Sequence, residues 1–157
     1  QKEKYPNMTL LEAEPRVESQ DNSETAYQTA KEVLKKYPEV KGILGTSSFD
    51  APGTARAIDE LGLKGKVFTA GTGLPNANKQ ILQDGSVASL TLWDPADAGY
   101  AMASLATKIL NGEKIADGVN LGVTGYENMH FSPGSTKVLE GNGWIQINKD
   151  NVDSFGF

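Results

Sequence analysis

Four short apolar runs, each followed by a helix-like stretch, constrain this chain more than any other feature. They fall at residues 8–13 (MTLLEA), 42–45 (GILG), 66–70 (KVFTA) and 87–93 (VASLTLW). Such alternation predicts β-α-β units, and hence a parallel sheet with right-handed crossovers. The later runs begin near Gly42, Lys66 and Val87, close to the shortest spacing that holds a strand and its crossover helix. No self-similarity accompanies the rhythm, so it is a topology and not a repeat array. The expected fold class is α/β, a Rossmann-like parallel sheet with flanking helices.

Local signals place the helices. Residues 21–24 (DNSE) have capping-box spacing, with Asp21 as N-cap and Glu24 reaching back. Tyr27, Ala30, Val33, Leu34 and Tyr37 follow on one helical face, and Pro38 closes the helix. Lys31, Lys35 and Lys36 read as a solvated helix end that complements the dipole. Asp50 is expected to cap a helix over about 51–61, ended by Gly62. A short helix is predicted over about 75–82. A stronger one follows Asp94, with an apolar stripe of Ala98, Ala101, Met102, Leu105 and Ile109, and stops at Gly112. Beyond Gly112 the rhythm ends. Residues 119–124 and 128–131 are strand-like, and WIQI at 144–147 is a last strand. This final third does not continue the β-α pattern and fits another lobe.

The stretch from Val87 to Gly99 carries the strongest functional signal. It predicts a strand buried on both faces that stops at Asp94-Pro95, a good N-cap followed by a good first helical residue. The Asp94 carboxylate then sits at the carboxyl end of a parallel strand, where open α/β sheets bind ligands. Trp93 adds an aromatic face. A carboxylate beside an aromatic suits a polyhydroxy ligand, accepting from hydroxyls while the ring covers C–H faces. The plainer alternative is that Asp94 only caps a helix and Trp93 only fills a core. Two more loops belong to the same predicted edge: Thr46-Ser47-Ser48-Phe49 and Gly71-Thr72-Gly73. Together the three offer hydroxyls, backbone amides, one carboxylate and aromatics, a kit for a neutral polar ligand. Ordinary turn chemistry, with hydroxyls bonding local backbone, is the alternative for the Ser and Thr residues.

Other chemistries lack their residues. The net charge is −5 without a Lys/Arg cluster, which argues against nucleic acid and anionic membrane as partners. There is no Cys and a single His, His130, in a strand-like run, so neither a thiolate nor a zinc site is expected. No run of about 18 apolar residues predicts a membrane helix. Gly71-x-Gly73 is followed by Asn76 where a dinucleotide fingerprint needs glycine. The Gly45-Thr46-Ser47-Ser48-Phe49 run lacks the closing glycine of a nucleophile elbow. Asp50, Asp94 and Asp97 could meet at a Mg²⁺ ion, but two of them are better explained as N-caps. No catalytic residue, cofactor or metal is expected. Gln1 begins mid-pattern, without an initiating Met or a signal peptide, so the chain is expected to be part of a longer protein.

In order and spacing the chain resembles type I periplasmic sugar-binding proteins, the solute receptors of ABC importers. The branch it most resembles contains the rhamnose and autoinducer-2 receptors. VKGILGT at 40–46, KVFTAG at 66–71, LTLWDP at 90–95, FSP at 131–133, GNG at 141–143 and NKDNV at 148–152 carry the likeness. It covers nearly the whole chain from Met8 onward and only the C-terminal half of such a receptor. The resemblance implies two α/β lobes closing on ligand by a hinge, as periplasmic binding proteins do. It implies that residues 1–94 are a partial second lobe and 95–157 a segment returning to the first lobe. By position, Ser47 and Ser48 match the loop that offers Asn-Asp to sugar in ribose-type receptors, Thr72 matches a sugar-binding Asp, and Asp94 matches a Gln at the hinge. Residues 46–48 also match a ligand-contacting segment of the autoinducer receptor. Replacement of the amide and acids by hydroxyls favours a deoxysugar or small polyol-like ligand. The implied ligand-binding set is Thr46, Ser47, Ser48, Phe49, Thr72, Trp93 and Asp94. The implied partners are a small sugar and an ABC membrane permease, and the implied location is periplasmic or anchored at the cell surface. Self-association is a further expectation, through the apolar stripe after Asp94. Two other readings stay open at this point: the effector domain of a sugar-responsive repressor, and a small α/β enzyme.

Overall fold

The computed structural model describes residues 3–11 and 17–157. They divide into two compact units, Gln1–Leu90 with Ile147–Phe157, and Thr91–Gln146.

The first unit holds α1 (Ser23–Lys36), β1 (Gly42–Leu44), α2 (Asp50–Glu60), β2 (Phe68–Thr72) and α3 (Pro75–Gln83). Strand β3 (Ser89–Trp93) begins in it, and β6 (Trp144–Ile147) ends in it. The sheet runs β1-β2-β3-β6, with β1 at its edge. Strands β1 and β2 are parallel, Gly42 opposite Phe68 and Leu44 opposite Ala70. Ile43 packs against Tyr27 and Ala30 of α1 and Ala57 of α2, so both helices cover the same face of the sheet. Leu34, Ile58 and Val67 extend that core. Gly53 lets the two helices approach, since a Cβ there would lie 2.6 Å from the Ser23 carbonyl oxygen. The chain returns after β6 through a 3-10 turn, Val152–Ser154, whose Asp153 pairs with Lys79 of α3 at 2.6 Å.

The second unit is built on α4 (Pro95–Leu110) with a small antiparallel ribbon, β4 (His130–Phe131) and β5 (Leu139–Glu140). Ala101 is the buried centre of α4 and packs with Leu121 and Met129. Of the expected stripe, Ala98 and Leu105 are half-buried, but Met102 and Ile109 are exposed. One helical face takes part in this small core, and it is narrower than the stripe of apolar residues.

The expected β-α order is present for three of the four strands. No strand forms over 8–11, where Leu10 and Leu11 are half exposed, and residues 12–13 lie outside the described part. A strand needs a ladder to take its amides, and among the described residues none lies beside β1 on its free edge. The strand-like run 119–124 makes only one bridge, Val119 to Met129. Strand β3 is buried on one face alone: Leu90 and Leu92 are inside, Thr91 and Trp93 outside. The cap of α1 is Asn22, which accepts from the Glu24 and Thr25 amides. Asp50 is the first residue of α2 and reaches back to the preceding loop, so it is not the N-cap.

Lys31 is not simply solvated. It donates to Glu60 at 2.6 Å, Tyr27 Oη donates to the same carboxylate, and Arg56 pairs with Glu24 at 2.6 Å. Hydrogen bonds from Lys31 first and Tyr27 second hold the Glu60 carboxyl below its usual range. Gln28 and then Arg56 do the same for Glu24. A depressed carboxyl contributes stability above its unfolded pKa and loses it as pH falls through the folded value. The α1–α2 clamp is therefore expected to be intact at neutral pH and to weaken below about pH 4. Melting curves of wild type and Glu60→Gln check this. The wild-type advantage is expected to shrink as pH falls through the acid range, and an advantage constant with pH would contradict it.

Candidate functional site

Strand β1 ends at Leu44, and Gly45 follows. A Cβ on Gly45 would stand 2.2 Å from the Asp50 Cβ, so only glycine lets the first turn of α2 fold back this closely. Asp50 uses that approach. Its Oδ2 accepts from the Thr46 and Ser47 amides, both at 2.9 Å. The Ser47 hydroxyl accepts from the Phe49 amide at 3.2 Å and donates to the Asp21 carboxylate. The loop is thus shaped by its own polar groups. What remains presented outward is the Thr46 hydroxyl, the Ser48 hydroxyl and the Phe49 ring, all exposed.

Thr72 closes β2 and is half-buried. Gly71 lies against Gly45, where a Cβ would come 2.8 Å from the Gly45 carbonyl oxygen. That contact sets Thr72 beside the root of the 46–49 loop. The structure brings Thr46, Ser47, Ser48, Phe49 and Thr72 together at the carboxyl ends of two adjacent parallel strands, as expected.

Trp93 and Asp94 belong to the second unit. Asp94 caps α4, its Oδ1 accepting from Ala96 at 2.8 Å and Asp97 at 3.3 Å. Oδ2 has no hydrogen-bond partner among the described residues, so the capping role leaves one acceptor open. Trp93 is 43% exposed and meets Trp144 edge to face, with ring centroids 5.6 Å apart. It is neither a core residue nor a lone aromatic. The pair forms an exposed aromatic corner of a kind that covers apolar sugar faces.

One residue was missed. Gln20 and Asp21 both have left-handed backbone, with φ of 52° and 56°, a costly conformation for consecutive non-glycine residues. It carries the Asp21 carboxylate to Ser47. The signal was the tandem Asp21-Asn22: a helix has one N-cap, so one of two adjacent capping residues is free for other work.

His130 holds Asp117 through Nδ1 and Asn128 through Nε2, each at 2.9 Å. Its hydrogen bond, followed by the Phe131 amide, keeps the Asp117 carboxyl below its usual range. Both ring nitrogens are engaged in tying the 115–118 loop to β4. Among the described residues no group of three acidic, His or Cys side chains is placed to hold a metal ion, and no helix is long and apolar enough to cross a membrane.

A one-sided parallel sheet with hydroxyl-bearing loops at its carboxyl edge defines a lobe of the type I binding-protein class. The comparisons agree. The periplasmic binding protein domain matches residues 1–114, and the chain belongs to this family. The D-allose-binding periplasmic protein of Escherichia coli is 35% identical over 75 residues, 47% of this chain and 24% of that protein. Among solved structures, LsrB from Clostridium saccharobutylicum in complex with AI-2 superposes with a TM-score of 0.74. It is 24% identical, and the match covers 99% of this chain and 52% of that one. A sugar ABC transporter protein from Actinomyces odontolyticus gives a TM-score of 0.73 at 29% identity, covering 90% of this chain and 45% of that one. A rhamnose-bound solute-binding protein from Clostridium phytofermentas gives 0.67 at 19% identity, covering 87% and 46%. The chain spans about half the length of these structures and a quarter of the curated relative it matches. Its family is one of receptors for small ligands.

Proposed function

We propose that this chain is part of the solute-binding component of an ABC-type sugar importer. It takes a neutral sugar or sugar-like ligand, rhamnose-like or autoinducer-2-like, in an interlobe cleft and performs no chemistry on it. The observation that carries the reading is the loop at 46–49. Asp50 spends its carboxylate on the loop amides, which frees the Thr46 and Ser48 hydroxyls to face outward beside an exposed ring. An uncharged set of donors and acceptors suits a neutral polyol. Ser47, Thr72 and Asp21 complete the set in the first unit, and Trp93 and Asp94 are the contribution of the second. The names of the relatives, a D-allose receptor and proteins holding AI-2 and L-rhamnose, support a small polyhydroxy ligand. A membrane permease is the partner such a receptor serves, and a periplasmic or surface-anchored location follows from that role.

Enclosure between two lobes strengthens each polar contact, and this chain carries one set of cleft loops. Its own affinity is therefore expected to be weak, in the millimolar range. Amide chemical shifts read with L-rhamnose, D-allose and autoinducer-2 test the proposal. Perturbations are expected to cluster at residues 46–49 and 72. Shifts that avoid this loop with every sugar, or conversion of a sugar to product, would overturn it.

A further inference from the structure

The first unit has an unfilled groove on the free side of β1. Val17, Ala26, Ala30, Val33, Ile43 and Leu44 line it, drawn from the 17–19 segment, α1 and β1. Asp50 borders the same groove, and its Oδ1 is buried without any hydrogen-bond donor. A buried carboxylate oxygen in that state is costly unless a donor arrives. The groove also exposes a strand edge. Lys41 and Gly45 direct their backbone groups to β2, through Phe68 and Ala70. By alternation, the amides and carbonyls of Gly42 and Leu44 point away from β2, into the groove.

A second observation concerns the face of the sheet. Ile43 faces α1 and α2, while Leu44 and Phe68 lie on the opposite face and are 76% and 52% exposed. Parallel sheets are normally covered on both faces. Handedness links the two vacancies. The connection from β1 through α2 to β2 runs one way along the sheet, with its helix on the Ile43 face. A strand laid in the groove and continuing away from β1 runs the other way, so a right-handed crossover sends its helix to the Leu44–Phe68 face.

We propose that the groove and the open face together receive one β-α unit of another polypeptide. Its strand pairs with Gly42 and Leu44 and gives a donor to Asp50 Oδ1, and its helix covers Leu44 and Phe68. The source is the part of a type I receptor that this chain does not match. This chain covers 52% of the C. saccharobutylicum receptor and 45% of the A. odontolyticus protein, so each has a remainder long enough to supply such a unit. This holds whatever ligand the receptor takes.

The test expresses the full 157-residue chain with the unmatched remainder of the C. saccharobutylicum receptor, and in parallel with that of the A. odontolyticus protein. Native mass spectrometry reads assembly, and amide hydrogen exchange reads the groove. A one-to-one complex is expected, with exchange at Gly42 and Leu44 slowed roughly tenfold or more. Gly42→Pro removes one outward amide at an edge position that tolerates proline. A Cβ at Gly42 meets only the Phe68 carbonyl oxygen, at 3.7 Å, so the fold is kept. That variant is expected to lose the complex and keep its melting temperature. Failure of both remainders to assemble would overturn the proposal. So would a complex that leaves 42 and 44 unprotected. Protection that grows with the concentration of this chain alone would assign the groove to a second copy instead, and would equally overturn it.

Discussion

Gly45→Ala is expected to cost about 3 kcal/mol or more of stability, at the top of the range for overpacking substitutions. The added methyl would stand 2.2 Å from the Asp50 Cβ and 3.0 Å from its Oδ2. Asp50 cannot swing away cheaply, because it is the first residue of α2 and its carboxylate holds the Thr46 and Ser47 amides. Moving it breaks two charge-assisted hydrogen bonds, and keeping it forces the β1–α2 connection apart. Either outcome displaces the hydroxyls proposed to meet ligand, so the sugar-induced shifts at 46–49 are expected to vanish with the stability. Gly99→Ala is the control. It lies within α4 with nothing inside 4 Å of the new Cβ, so it is expected to stabilise by about 0.5–1 kcal/mol. Urea denaturation followed by circular dichroism measures both. A loss below about 1 kcal/mol for Gly45→Ala would show that the connection gives way easily.

The sequence made some of this legible and hid the rest for physical reasons. Punctuation by Gly, Pro and Asp placed α2, α3 and α4 within a residue or two, because helix termini are set by local chemistry. The Asp94 cap was legible for the same reason. The 42–45, 66–70 and 87–93 runs became strands because each finds a neighbour in the sheet. The 8–13 run has the same apolar character, yet its described part is not a strand, since pairing is a property of the surroundings and not of the run. Burial of β3 on one face alone has a similar origin: alternation of Leu90 and Leu92 with Thr91 and Trp93 was visible, but not which faces would be covered. At the candidate site, residue types were readable and their division of labour was not. Asp50 looked like a cap and instead shapes the loop before it. Asp21 looked like a cap and instead reaches Ser47, which takes long-range folding to bring about.

Asp94 is the position where cap and ligand contact can be separated. Its Oδ1 accepts from Ala96 and Asp97, so Asp94→Ala is expected to cost about 0.5–2 kcal/mol of stability, the range for losing an N-cap. Asparagine caps as well as aspartate, so Asp94→Asn is expected to keep stability within a few tenths of a kcal/mol. It nonetheless removes the charge and turns the open Oδ2 acceptor into either a donor or, if the amide flips, a lost cap. A hydrogen bond from a sugar hydroxyl to a carboxylate is worth about 1.5–3 kcal/mol, roughly a 10- to 150-fold change in affinity. Both variants are therefore expected to weaken sugar binding by that factor in a receptor containing this chain, while only the alanine variant melts earlier. Trp93 supplies a parallel case. Its edge-to-face contact with Trp144 is worth about 0.5–1.5 kcal/mol, so Trp144→Phe is expected to disturb the aromatic corner without touching the Asp94 cap. Calorimetric titration beside a melting curve distinguishes the outcomes. If Asp94→Asn binds sugar as the wild type does, Asp94 is a cap alone, and the hydroxyls at 46, 48 and 72 must carry recognition without a carboxylate.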